Sequence, residues 1–251
     1  MLTAGLVSIS FRRKTPGQIV SLCERAGLRA IEWGGDVHVP AGDERRAREV
    51  LALTRSAGLS VCSYGSYYRL DQPEDGLLRA LDSASALEAP VMRVWAGSKG
   101  SQALAGDERR ALIERLAWAE EAARARGVAL ALEYHPGTLT DARESVRRLL
   151  ADIAPLDCRL YWQPRWDWSE EERLASLEDV RGRLGHLHVF SWTASGERLP
   201  LQAGEAMWRR VFSGLSGTRG ALLEFVRADS DEQLLADAAC LARMLEETRQ
   251  S

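Results

Sequence analysis

Lysine is nearly missing from this chain: only Lys14 and Lys99 carry a side-chain amine, and every other strong base is arginine. The bias leaves Lys99 as a rare flexible amine just past an expected strand. No CxxC pair exists. Cys23, Cys62, Cys158 and Cys240 lie far apart, which reads as buried reduced thiols of a cytoplasmic protein. No apolar run reaches the roughly 18 residues a membrane span needs. The opening MLTAGLVSISFRRK places its charges after the apolar run, the reverse of a secretory signal. A basic excess is also lacking. The net charge of −3 gives no pull toward phosphate backbones, so nucleic acid is not an expected partner.

What is present is a large core in one repeating pattern. Residues are 45% hydrophobic and 27% charged, the mix of a globular protein. Period-2 apolar runs near 3–9, 29–33, 60–66, 91–96, 128–134, 158–163, 186–190 and 220–226 alternate with helical patterns near 16–26, 43–57, 74–88, 107–126, 140–151, 169–182, 204–214 and 230–247. Thr15-Pro16, Ser169 with Glu172, and Ser230 with Gln233 are helix-start signals. Gly27, Gly58 and Gly127 each end a helix and lead into an apolar strand. Eight strand–helix pairs over residues 1–251 predict one (β/α)8 TIM barrel domain. A doubly wound sheet alternates too, but no GxGxxG follows the first strand.

In such a barrel the chemistry gathers where strands end. The stretch VALALEYHPGTLTD places Ala129, Ala131, Glu133 and His135 on one face and Val128, Leu130, Leu132 and Tyr134 on the other. Small residues suit the crowded interior, so Glu133 and His135 are expected at the mouth. By the same alternation Tyr161 and Gln163, His186 and His188, and Glu224 point inward. Four consecutive strands thus deliver Glu, Gln, His and Glu to one rim.

IEWGGDVHVP at 31–40, LEYHPGTLTD at 132–141, GHLHVFSW at 185–192 and LLEFVRADS at 222–230 resemble the xylose-isomerase-like barrels, over nearly the whole chain. That group includes sugar and sugar phosphate isomerases and epimerases, inosose dehydratases and AP-endonuclease-type enzymes. The resemblance implies a divalent metal (Mn, Mg, Co or Zn) held by Glu133, Gln163, His188 and Glu224, at intervals of 30, 25 and 36 residues. It further implies Glu133 and Glu224 as a catalytic acid–base pair that removes a proton beside a carbonyl through an enediolate. The departure is at the sixth strand. The family has Asp there, in DxxH; this chain has QPRW, with Gln163 for the aspartate and Trp166 for the histidine. An amide still offers a neutral carbonyl oxygen.

The remaining mouth residues carry no motif. His135 is a proton carrier, a substrate contact or a structural histidine. His38, in GGDVHVP, is expected to hang over the mouth and touch substrate, and with Asp36 makes a lone DxH. Arg93 either binds an oxyanion or pairs with Glu32. Lys99 and Arg69 could grip a carboxylate or phosphate. Trp33, Trp95, Trp162, Trp166, Trp168 and Trp192 fall at or just past strand ends; they either wall a site for a carbohydrate or cyclic polyol or pack loops onto the rim. A metal-dependent isomerase or epimerase leads these readings. A lyase of the same superfamily follows, either an inosose-type dehydratase or an enzyme that breaks a sugar–aglycone bond by proton abstraction, then a non-catalytic sugar-binding barrel with a degenerate metal site. The AP-endonuclease branch is disfavoured by Trp166 and by a total of four histidines. The resemblance also allows a homodimer or tetramer through barrel helices.

Overall fold

A computed structural model of the protein describes residues 2–215, 217 and 219–250. The alternating pattern closes on itself. Strands β1 (Leu2–Val7), β2 (Ala30–Gly34), β3 (Ser60–Arg69), β4 (Val91–Trp95), β5 (Ala129–Glu133), β6 (Arg159–Trp162), β7 (Leu184–Val189) and β8 (Arg219–Leu223) form a closed parallel barrel in chain order. The helices that follow them are α1 (Pro16–Arg25), α2 (Glu44–Ser56), α3 (Glu74–Ala86), α4 (Gly106–Arg124), α5 (Arg143–Asp152), α6 (Glu170–Val180), α7 (Glu205–Ser213) and α8 (Asp231–Gln250). The architecture is the expected (β/α)8 barrel. Among the described residues no helix is long and apolar enough to cross a membrane.

Local chemistry explains the boundaries. Thr15 and Ser169 form reciprocal capping boxes with Gln18 and Glu172. Ser230 makes only half of one: it accepts from the Gln233 backbone, while the Gln233 side chain reaches to Asp237. Gly27, Gly58 and Gly127 have φ of 68°, 68° and 71°, the left-handed conformation their positions after α1, α2 and α4 require. One feature was not expected: Ser191–Trp192 and Arg198–Leu199 pair as a short antiparallel hairpin after β7.

The core lies mainly between barrel and helices, and it claims part of the predicted aromatic rim. Trp33 and Trp162 are fully buried; their indole N–H groups bond Thr54 Oγ1 at 3.1 Å and Ser176 Oγ at 2.9 Å on α2 and α6. They alternate with inward residues and therefore face the helices. Trp168 packs edge-on to Tyr134, 5.8 Å between centroids. Only Trp95, Trp166 and Trp192 of that predicted set remain as candidates for the mouth. The four cysteines are free, and burial pushes the thiols of Cys23, Cys62 and Cys158 up to about 12.

Candidate active site

Register brings the polar strand ends together. Glu133 pairs with Tyr161 across β5 and β6, and His188 with Leu222 across β7 and β8. The Glu224 backbone N–H continues that ladder by donating to the Val189 carbonyl at 3.1 Å. Glu133, His188 and Glu224 are all buried, and one ligand-type atom from each lies within 4.8 Å of the others. His188 Nδ1 stands between the two acids, 3.1 Å from Glu133 Oε1 and 3.2 Å from Glu224 Oε2. Atoms that share one ion at about 2.1 Å with angles of 90–109° lie roughly 3.0–3.4 Å apart. The donor set, two carboxylate oxygens and an imidazole nitrogen, therefore fits a small divalent cation. Glu224 Oε2 is buried without a hydrogen-bond partner, which adds to the fit.

The two glutamates do not share one environment. Glu133 is ringed by donors. Oε1 faces His188 Nδ1 and accepts from Gln163 Nε2 at 3.1 Å; Oε2 accepts from Trp95 Nε1 and lies 3.4 Å from Arg93 Nε. Burial pulls this carboxyl up, but Arg93 and the bond to His188 outweigh it and hold the group well below the usual carboxylate range. Glu224 has no such ring. Deeper in the barrel, Glu32 accepts from Ser63 at 2.6 Å and lies 4.0 Å from Arg93 Nη2 and 3.5 Å from His188 Nε2. Gly65 leaves room for this pair, since a Cβ there would fall 2.7 Å from Glu32 Oε1. Burial also opposes the charge on His188, yet Glu224, Glu32 and Glu133 push its pKa well above the ordinary value. The imidazole is thus held as a cation among three carboxylates.

Several expectations need correction. Gln163 does not aim its carbonyl at the cluster. Its Nε2 donates to Glu133 and to the Tyr134 carbonyl at 3.0 Å; a carbonyl can only accept, so this orientation is fixed by its partners. His38 is folded inward and buried, not hung over the mouth; its ring nitrogens contact Ser8 Oγ and the Lys14 carbonyl. Its neighbour Asp36 pairs with Arg12. Arg93 is a buried ion-pair partner with an additional bond to the Ser66 carbonyl. Lys99 is exposed and paired with Glu108 on α4, away from the clustered acids. His186 needs no such correction: one inward step deeper on β7 than His188, where a structural role is expected, it contacts the Cys62 carbonyl and accepts from Gly220 N.

The other predicted mouth residues lie among aromatic and cationic neighbours. Trp95 lies between the Arg69 guanidinium, 4.4 Å from its ring centroid, and the His135 ring at 4.9 Å. Trp166 is 39% exposed. Trp192 packs with Phe190 and Phe225, at 5.2 and 4.9 Å between centroids. Phe225 was not foreseen. It follows Glu224 with φ of 52°, a left-handed conformation that costs a bulky residue roughly 1–3 kcal/mol. Also missed were Thr138 and Thr140, whose buried hydroxyls bond each other and the carbonyls of His135 and Glu133. The TLT that follows the Pro136-Gly137 break was their signal.

The sequence model of the family described as xylose isomerase-like TIM barrel matches residues 20–243. No curated protein matches the sequence. Among solved structures, the probable 3-DHS dehydratase AsbF of Bacillus anthracis, involved in petrobactin synthesis, has a TM-score of 0.80 at 19% identity, covering 96% of this chain and 99% of that one. D-allulose 3-epimerase from Methylomonas sp. has a TM-score of 0.70 at 13% identity, covering 97% and 98%. A xylose isomerase-like TIM barrel protein from Mycobacterium smegmatis, in complex with magnesium, has a TM-score of 0.72 at 14% identity, covering 99% and 98%. At these identities the likeness is one of fold.

Proposed function

This chain belongs to the xylose isomerase-like TIM barrel family, and from that premise we propose that it moves a proton on a carbon beside a carbonyl of a sugar or related polyol. The observation that carries the reading is the unequal pair of acids on either side of His188. Glu133 is tied by its donors and serves as a fixed anion. Glu224 has fewer donors, with its Oε2 facing His188 Nδ1 at 3.2 Å, and its other oxygen is the one that takes the substrate proton. A divalent cation (Mn, Mg, Co or Zn) held by Glu133, His188 and Glu224 supplies stabilisation of the negative charge that builds on the substrate as the proton leaves.

Returning that proton to the neighbouring carbon, while the hydroxyl proton there passes to the former carbonyl oxygen, is isomerisation; handing it to a departing β-hydroxyl, so that water leaves, is dehydration. Each uses one mobile carboxyl. Epimerisation needs a second acid, so Glu133 would have to give up its donors. The geometry therefore supports a one-base isomerase or dehydratase over an epimerase. The test is deuterium uptake from D₂O into a panel of ketoses and inososes by protein of measured metal content. No exchange with any of them in the metal-loaded protein refutes the reading and favours a binding barrel.

Two consequences concern the metal itself. A cation must displace the proton held on His188, because only neutral imidazole ligates. Calorimetric titration of Mn²⁺ in buffers of differing ionisation enthalpy should show about one proton released per ion near pH 7, with affinity rising as pH rises. Proton-free binding would overturn the role of His188. Gln163→Asp replaces a donor locked onto Glu133 by a third carboxylate. Mn²⁺ affinity should rise on the order of 10–100-fold, read by the same titration; an unchanged or weaker affinity would restore Gln163 as a ligand in its own right.

A further inference from the structure

We infer that the cavity beside Gln163 receives an aromatic ring carried by the substrate, so that the polyol is an aryl-substituted one. This deepens the proposed reaction and rests on it for the reacting end. The cavity, about 250 Å³, is lined by residues that include Tyr134, His135, Gln163, Trp166, Trp192 and Phe225. It adjoins the reacting centre twice: Gln163 donates to Glu133, and Phe225 follows Glu224 in the chain. An apolar cavity of ~150 Å³ holds benzene, so there is room here for a substituted or fused ring.

The lining suits an aromatic ring better than a second sugar. Several of its polar groups are already engaged, the Tyr134 hydroxyl and the Trp192 N–H being buried without a partner. Gln163 Nε2 is spent on Glu133 and Tyr134, His135 Nδ1 contacts the Pro136 carbonyl, and Arg165 and Asp167 pair side by side. Sugar hydroxyls placed among them would lose their water partners without replacement, whereas an aromatic ring asks for none. The wall is built in advance, because Phe190, Trp192 and Phe225 already contact one another edge to face or tilted, with centroids 4.9–5.2 Å apart. Phe225 keeps its left-handed backbone although its ring is only half-buried, so the core does not demand that placement. Trp192 adds a buried indole N–H without a partner, a donor for an oxygen borne by the ring.

The test compares phenyl and methyl β-D-glucopyranoside as probes, titrated against the full chain and followed by calorimetry. The phenyl compound should bind about 10-fold tighter or more. That preference should collapse toward unity in Trp166→Ala, an exposed position the fold can spare, and in Phe225→Ala. Equal affinities, no binding of the phenyl glucoside at millimolar concentration, or a preference untouched in both variants would overturn the inference. Deuterium exchange into unsubstituted ketoses reports on the reaction separately. Exchange without ring preference sinks only the aryl pocket, and ring preference without exchange sinks only the catalytic reading.

Discussion

Glu224→Gln should abolish incorporation of solvent deuterium into whichever ketose or inosose the native protein labels, a loss of at least roughly 10²–10⁴-fold, the span assigned to a positioned acid–base group. The substitution keeps the shape and hydrogen-bonding reach of the side chain and removes its capacity to hold the abstracted proton. Glu133→Gln should also depress exchange, by a different route. Its donors, the Trp95 and Gln163 N–H groups and the Arg93 guanidinium, would face an amide of half the acceptor capacity, and the cluster would lose one anionic ligand. Both variants lose an anionic ligand and bind metal more weakly; they separate at saturating metal, where Glu133→Gln recovers part of the exchange and Glu224→Gln does not. Full exchange in Glu224→Gln would remove it as the base.

Arg93→Met should cost about 3–5 kcal/mol of unfolding free energy near pH 7, because it strips one of the two buried cations from Glu32 and Glu133 and leaves the His188 imidazolium alone to offset three carboxylates. The sign with pH follows from the shifts. In the native protein burial raises both carboxyls, but His188 and Arg93 outweigh it at Glu32, and Arg93 and His188 at Glu133, so both sit below their ordinary values. Their ionisation therefore contributes stability that is present above about pH 4.3, the unfolded glutamate value, and is lost as pH falls through the folded values. Without the guanidinium the upward pull of burial gains ground, and the variant loses part or all of that contribution. The deficit relative to the native chain should widen as pH rises from the folded values of the two native carboxyls to about 4.3 and stay level from there to pH 7 in urea titrations. A deficit under about 1 kcal/mol, or one indifferent to pH, would show that Arg93 is not what neutralises the two acids.

The barrel was legible because its signals are local and repeated. Capping at Thr15 and Ser169, glycines at 27, 58 and 127, and period-2 apolar runs all act within a few residues, so the chain carries them in plain order. The inward acids were legible for the same reason: alternation along β5 puts Glu133 with Ala131 and opposite Leu132 whatever surrounds the strand. The mouth loops were less so. His38 looked exposed in GGDVHVP, but Ser8 and the Lys14 carbonyl, distant in sequence, draw its ring inside. Lys99 looked like a substrate grip, and Glu108 claims it. Trp33 and Trp162 looked like rim aromatics, and hydroxyls on α2 and α6 take their indole N–H groups.

By itself the sequence determined the eight-fold strand–helix alternation and which face of β5, β7 and β8 carries Glu133, His188 and Glu224, since backbone periodicity decides both. Only the tertiary structure decided how those groups are used. The direction of the Gln163 amide, the ring of donors around Glu133, the sparser surroundings of Glu224 and the left-handed Phe225 depend on partners brought from other strands. A hydrogen bond or an ion pair is set by distance in space, and separation along the chain does not report it.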